Sequence, residues 1–243
     1  MSVTRNLMSS ALFALPYLGY QPVEVSNGEP AIRAGNLTKQ TILGPPFAWP
    51  WNRNTVTFDV PATDANGNPF TPSQDYAVQI TDFGFLEKTW LTDGNGNEKE
   101  IKIVMVLAAE SSVQRPASVA VQEQDTDGYL TFRLNAIPDQ SYTFNGVYQK
   151  APVEMTSTAA TWSPIPDHMG YIYDYGFLYF VSMLTKDARA GFYATKFVSH
   201  LLGAQSGLNA TQRNIFLGNF LDILTEPQRA QAETTQGVGA RQT

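Results

Sequence analysis

The sequence predicts an α+β protein in which helical segments near both ends of the chain flank an antiparallel β module. Three observations predict it. Apolar residues recur at three- and four-residue spacing towards both ends, alternating Val, Ile, Tyr, Phe and Thr fill the stretch from Thr55 to about Pro152, and Asn-Gly, Asp-Gly and Pro-Asp pairs punctuate that stretch. With 243 residues, 43% of them hydrophobic, the chain can bury one large core or two small ones.

At the amino end, Leu7, Ala11 and Ala14, with Met8 and Leu12 beside them, fit one face of an amphipathic helix. Arg5 ahead of the apolar stretch from Leu7 to Leu18 also has the outline of a signal peptide. Asn6, Ser9 and Ser10 interrupt that stretch, Pro16 breaks it and no small-residue cleavage site follows, so a core helix is the expectation. A second helix opens at Pro30, where a first-turn proline is tolerated, and ends before Gly44-Pro45-Pro46. In "FAWPWNRNTVTFDV", Trp49 and Trp51 flank Pro50, a pattern suited to an edge or entry strand and excluded from a helix interior.

Seven strand-like runs follow: "NTVTFDV", "QDYAVQI", "GFLEKTWLT", "KEIKIVMVL", "ASVAVQEQ", "YLTFRLNA" and "SYTFNGVYQ". The separators "DANGNP", "TDGNGNE", "DTDG" and "IPDQ" tolerate tight turns, so neighbouring strands are expected to pair as hairpins in a small meander sandwich or barrel. The period then turns helical. Met169, Ile172, Tyr173, Gly176, Phe177, Phe180, Val181 and Leu184 put an aromatic stripe on a helix starting near Pro166, and Ala194, Phe197, Val198, Leu201 and Leu202 continue the spacing. A third helix is expected from Asn209, where "NATQ" is a capping-box variant, with Ile215, Phe216, Phe220 and Ile223 or Leu224 buried. Beyond Pro227 the only large apolar residue is Val238, too little to pack a core. The resulting divisions are helices at 1–46, an antiparallel β module at 47–155, helices at 156–224 and a polar tail at 225–243.

Charge and chemistry exclude several classes. Sixteen Lys and Arg against 22 Asp and Glu give a net charge of -6, which lacks the electrostatic footprint for holding duplex nucleic acid. No cysteine is present, so disulfides, thiolate metal sites and cysteine nucleophiles are out, and no apolar run is long enough to span a bilayer. Asp167 and His168 are adjacent at a helix start; neighbours on a helix point about 100° apart, so a catalytic dyad is disfavoured against a first-turn charge and a surface imidazole. His200, near a helix C-terminus, reads the same way. The turns with Asp64, Asn66 and Asn68, and with Asp93, Asn95 and Asn97, resemble the start of a calcium loop but place Pro69 and Glu98 where that loop needs glycine. They are read as turn tips. With no phosphate-cradling loop or nucleophile elbow either, neither an enzyme nor a cofactor is expected. Trp49, Trp51, Trp90 and Trp162 would stack sugars only if they formed an exposed cluster; aromatics on strands more often serve a core or a subunit interface.

The order of elements then supplies a resemblance. Two helices, the "GPPFAWPWNR" exit, a β module, "RLNAIPDQSYTFNGVYQKAP", and "WSPIPDHMGYIYDYGFLYF" with paired helices resemble the head-to-tail adaptor proteins of tailed bacteriophages, of the tail tubular A type. The matching positions are Arg133, Leu134, Pro138, Asp139, Tyr142, Thr143 and Phe144, then Tyr148 and Pro152, then Pro166 and Asp167. The resemblance implies a helical bundle formed by the N- and C-terminal helices with an inserted antiparallel β-sandwich or barrel. It also implies a virion structural protein that forms a ring, usually of twelve copies, docks on the portal protein, joins the capsid to a tail nozzle or tail-tube protein, and leaves a channel through which DNA passes without specific binding. Assembly in the host cytoplasm, a place in the virion neck and no association with membrane follow. Arg229, Arg241 and Thr243 of the polar tail are the expected portal-docking residues, the arginines pairing with acidic groups. Other tail or capsid-decorating proteins, and a glycan-binding module, are the alternatives.

Overall fold

The first helix begins where a side chain can cap it. The Asn6 carboxamide oxygen accepts from the Ser9 amide at 3.0 Å, and α1 runs Leu7–Leu18 to a left-handed Gly19 at φ 76°. Pro16 does not stop it: in the last turn its missing amide deprives only the Leu12 carbonyl of a partner. This first element comes from a computed structural model, which describes residues 4–23, 27–62, 67, 75–107, 112–205 and 207–218. The chain divides into two compact units, one from residues 1–47 with 154–243, the other Ala48–Val153.

The helical unit holds α1, α2 (Ala31–Leu43), α3 (Gly170–Leu184), α4 (Ala190–Ala204) and a helical segment at 210–218. α3 is its axis, packed against α1, α2 and α4. Because three helices surround it, α3 is buried nearly all round: besides the stripe of Ile172, Tyr173, Phe177 and Val181, it buries Asp174, Leu178, Tyr179 and Ser182. Gly176 marks its closest approach to two neighbours. A Cβ there would lie 2.6 Å from Thr38 Cγ2 on α2 and 2.8 Å from Phe197 Cε2 on α4. Alanine at that position gains about 1 kcal/mol of helix propensity, but overpacking between two fully buried side chains costs about 1–3 kcal/mol. Gly176→Ala is therefore expected to lower the midpoint of urea unfolding.

Asn209 and Gln212 cap the 210–218 segment reciprocally, with Gln212 N to Asn209 Oδ1 at 2.8 Å and Asn209 N to Gln212 Oε1 at 3.1 Å. Phe216 is buried edge-on against Phe47, ring centroids 4.7 Å apart. Ile215 was expected on the same face and is instead 58% exposed, since the residue before Phe216 points about 100° away. Phe220, Ile223 and Leu224 lie outside the described residues.

Among the described residues the second unit contains eight strands in two four-stranded sheets. The first has the order β1-β8-β3-β4 and the second β2-β7-β6-β5, with β1 Arg53–Val60, β2 Asp75–Gln79, β3 Phe83–Asp93, β4 Glu98–Glu100, β5 Lys102–Ile103, β6 Ser118–Gln124, β7 Tyr129–Leu134 and β8 Tyr142–Lys150. Residues from both share one core, in which Phe58 of β1 and Phe144 of β8 meet Phe132 of β7 with centroids 5.3 and 5.6 Å away.

Three strand expectations need correction. Trp49 and Trp51 do not themselves sit on an edge or entry strand: Pro50–Asn52 is a single 3-10 turn leading into β1, and the Gln149 side chain holds the Trp49 backbone at 3.1 and 3.2 Å. The consecutive-hairpin meander is also wrong. β3–β4 and β6–β7 are hairpins, whereas "IPDQ" carries the chain from β7 in one sheet to β8 in the other. The alternating faces explain it: Leu130, Phe132 and Leu134 on β7, and Tyr142, Phe144 and Tyr148 on β8, are all buried in the shared core, so the two strands meet through side chains rather than backbone. Finally, "KEIKIVMVL" is split between the sheets. Ile101, 3% exposed, turns into the core between β4, which pairs with β3, and β5, which pairs parallel with β6, so the module is not purely antiparallel.

Candidate functional site

Charge organises one region of the helical unit, where the amino-terminal segment lies against the segment leading into α3. Asp167 accepts from Thr4 Oγ1 at 2.7 Å, from the Thr4 amide at 3.0 Å and from the Arg5 amide at 3.2 Å. The Thr4 hydroxyl and these amides hold its carboxyl below the ordinary range. The chain then places the Arg5 guanidinium 2.8 Å from the Asp174 carboxylate on α3, whose other oxygen accepts from Ser10 Oγ at 2.8 Å. Ser10 in turn accepts from Trp162 Nε1 at 3.0 Å, and the Trp162 ring stacks on Tyr173, 4.6 Å away and 8° from parallel. Arg5 also lies 5.2 Å from the Tyr173 ring centroid. Gly170 leaves room for this guanidinium: a Cβ there would come within 2.2 Å of Arg5 Nη1, and the end of the arginine would have to shift.

Asp174 is the deepest acid of this network, with 6% of its side chain exposed. Burial pushes its pKa up, opposed by the Ser10 hydrogen bond and the Arg5 charge. The sequence reading gave Arg5, Ser10 and Trp162 other roles and passed over Asp174, so it did not bring the four together. A signal was present, since Asp174 is the lone acid within the aromatic run "GYIYDYGFLYF".

A second feature is a path of rings over the outside of α1, α3 and α4. Tyr17 is 5.2 Å from Phe13, Phe13 is 6.3 Å from Tyr175, Tyr175 is 5.2 Å from His200, and His200 is 5.3 Å from Tyr171. His200 is therefore an aromatic contact on this surface and His168 is exposed. α1 carries no charged residue, and Leu12, Leu15 and Tyr17 point outward from it, 57, 40 and 41% exposed.

The other expected sites resolve simply. Asp93 closes its own turn, accepting from the amides of Asn95 and Asn97 at 2.9 Å and from Asn97 Nδ2 at 3.0 Å, and the Asn97 side chain leads in holding its carboxyl below the ordinary range. Among the described residues no group of three or more metal-ligating side chains comes together, and no helix is long and apolar enough to cross a membrane. Asp64, Asn66, Asn68 and Pro69 lie outside the described residues, as do Arg229, Arg241 and Thr243. The tryptophans make no exposed cluster: Trp49 and Trp162 are buried at 3 and 0% exposure, and Trp51 and Trp90 are half-buried. Burial of all four would remove a sugar-stacking platform; two of the four are buried. No protein-family model matches the chain, and no curated protein is significantly similar to it.

Proposed function

We propose that this chain is a structural protein of a tailed-bacteriophage virion, a ring-forming head-to-tail adaptor that docks on the portal and connects the capsid to the tail. The observation that carries the reading is the division of the chain. α1 and α2 share one compact unit with α3 and α4, while residues Ala48–Val153 form the other, interposed in sequence between the two halves of the first. We read the helical unit as the bundle, and the paired sheets with their common core as the inserted sandwich, of the tail tubular A type that the motifs resemble. Two unlike units on one chain suit a heterologous contact, in which one patch meets a different patch on the next copy and a closed ring results. Twelve copies, a portal protein above and a nozzle or tube protein below are the partners this implies.

Catalysis has no part in this reading; the work is mechanical. A net charge of -6 suits a lumen along which DNA slides without being held. The polar tail with Arg229, Arg241 and Thr243 is the portal-docking segment in this scheme. Cryo-electron microscopy of the virion that carries the protein tests it. The reading expects a ring of this chain between portal and tail; density on the capsid shell or at a fibre tip overturns it.

A further inference from the structure

Four asparagines in this chain stand directly before a glycine: Asn27, Asn66, Asn95 and Asn145. In such a pair the backbone amide can attack the neighbouring carboxamide, because glycine has no Cβ to shield its nitrogen. Asn66 lies outside the described residues, and the other three are held in different ways. In β8 the Asn145 carboxamide is engaged at both ends, with Nδ2 donating to Thr92 Oγ1 at 3.0 Å and Oδ1 accepting from Thr57 Oγ1 at 3.3 Å. At the turn between β3 and β4 it is the Gly96 amide that is engaged, donating to the Asp93 carbonyl at 2.9 Å.

Asn27 differs from both. It is exposed, and its Oδ1 accepts from the Glu29 amide at 2.9 Å, a turn in which the side chain takes the place of a backbone carbonyl. That closure folds the carboxamide carbon back over the intervening Gly28 amide, which donates to no acceptor among the described residues. Gly28, at φ 72°, is fixed from its other side: its carbonyl accepts from the Ile32 amide at 3.1 Å. The Glu29 amide is aimed at the oxygen on which charge develops when the carboxamide carbon is attacked, the place of an oxyanion donor. Asp93 and Gly94 make the contrast. Asp93 Oδ1 accepts from the Asn95 amide at 2.9 Å in the same kind of closure, but hydrogen bonds led by that of Asn97 keep the carboxyl ionised, and a carboxylate repels a nucleophile.

We infer that Asn27 is a site of spontaneous deamidation through a succinimide with Gly28, and that the fold promotes the reaction there over Asn95 and Asn145. The Gly28 amide nitrogen loses its proton to solvent and bonds to Asn27 Cγ. The Cγ–Nδ2 bond breaks, and that nitrogen takes a proton from solvent and leaves as ammonia. Water then opens the ring. Attack at Cγ gives aspartate; attack at the backbone carbonyl carbon gives isoaspartate, whose main chain runs through Cβ and is one methylene longer. The site lies ahead of α2, so isoaspartate alters the entry to that helix. None of this depends on the ring reading.

Peptide mass spectrometry on the full chain, aged in mildly alkaline native buffer, tests it, with electron-transfer fragmentation to separate isoaspartate from aspartate. An oxyanion donor contributes about 10²–10³ in rate where water is excluded, and less at an exposed turn. The Asn27 peptide is therefore expected to gain the mass of an amide-to-acid exchange about tenfold faster than the Asn95 and Asn145 peptides, with isoaspartate among its products. Ageing in guanidinium chloride removes the turn and is expected to bring the three rates together. An Asn27 rate in the folded chain no faster than that of Asn95 or Asn145 overturns the inference, and so does a lead that survives unfolding. Asn27→Gln supplies the site control: position 27 is exposed, so the fold tolerates the change, and glutamine would have to close a larger ring. The mass gain is expected to disappear from that peptide. If it persists there, the reaction belongs to another amide and the inference fails.

Discussion

Trp162→Ala is expected to destabilise the helical unit by about 3–5 kcal/mol, the range for emptying a fully buried aromatic site. Trp162 is 0% exposed, and its loss removes three things at once: ring volume, the stack on Tyr173, and the donor to Ser10 Oγ. Trp162→Phe separates them. It keeps most of the volume and stacking but leaves Ser10 to satisfy its oxygen elsewhere, so about 1–2 kcal/mol is expected, the cost of a buried acceptor left unmade. Chemical denaturation followed by circular dichroism at 222 nm reads both variants. A loss below about 1 kcal/mol in Trp162→Ala contradicts the packing described, since surface substitutions fall in that range.

The second large effect is expected at Arg5. Arg5→Met removes the partner of an almost fully buried carboxylate, and breaking a buried pair in this way costs about 3–5 kcal/mol. One third of the Arg5 side chain is exposed, so solvent already screens part of the attraction and about 2–4 kcal/mol is the reasonable figure. The loss depends on pH with a definite sign. The Asp174 carboxyl has a raised folded-state pKa, so between its ordinary value and the raised one the folded chain binds more protons than the unfolded chain, and stability falls as pH rises through that window. Without Arg5 the folded pKa climbs further and the window widens upward. The difference between wild type and Arg5→Met is therefore expected to shrink on going from pH 7 to about pH 5. Asp93, Asp167 and Asp187 act oppositely: hydrogen bonds, led by those from Asn97, Thr4 and Arg189, lower their pKa values, so the stability they contribute is lost as pH falls through those lowered values. Acid unfolding of both proteins below the ordinary carboxylate range follows.

How much of this was legible in the sequence depended on whether the signal was local. The reciprocal cap at Asn209 and Gln212 was readable from four residues, because each partner lies within one turn of the other. The stripe from Met169 to Val181 was readable from spacing alone, although spacing did not show that Leu178 and Tyr179 on the remaining faces are buried too. Sheet pairing was not readable. "IPDQ" marks a change of direction, and nothing within it distinguishes a return beside β7 from a crossing to the opposite sheet; the choice is made by Phe132 and Phe144 meeting across the core. "KEIKIVMVL" satisfies strand propensity along its whole length, and the break at Ile101 arises because that side chain is needed in the core. The Arg5–Asp174 pair spans 169 residues, a separation at which sequence pattern carries no information about contact. Asp174 could be singled out as an odd residue in its helix, but its partner could not be named.

The central claim is that segments from both sides of the sheet unit fold as one cooperative body locked by residues 4–10 on 162–174. Hydrogen exchange on the full chain, resolved by peptide, measures this most directly. The account predicts that amides of α1 and α2 share the protection of α3, and that all three lose protection together in Arg5→Met and Trp162→Ala while β1, β3 and β8 are unchanged. If α1 and α2 instead exchange freely in the wild type, or respond with the sheets rather than with α3, the account is wrong.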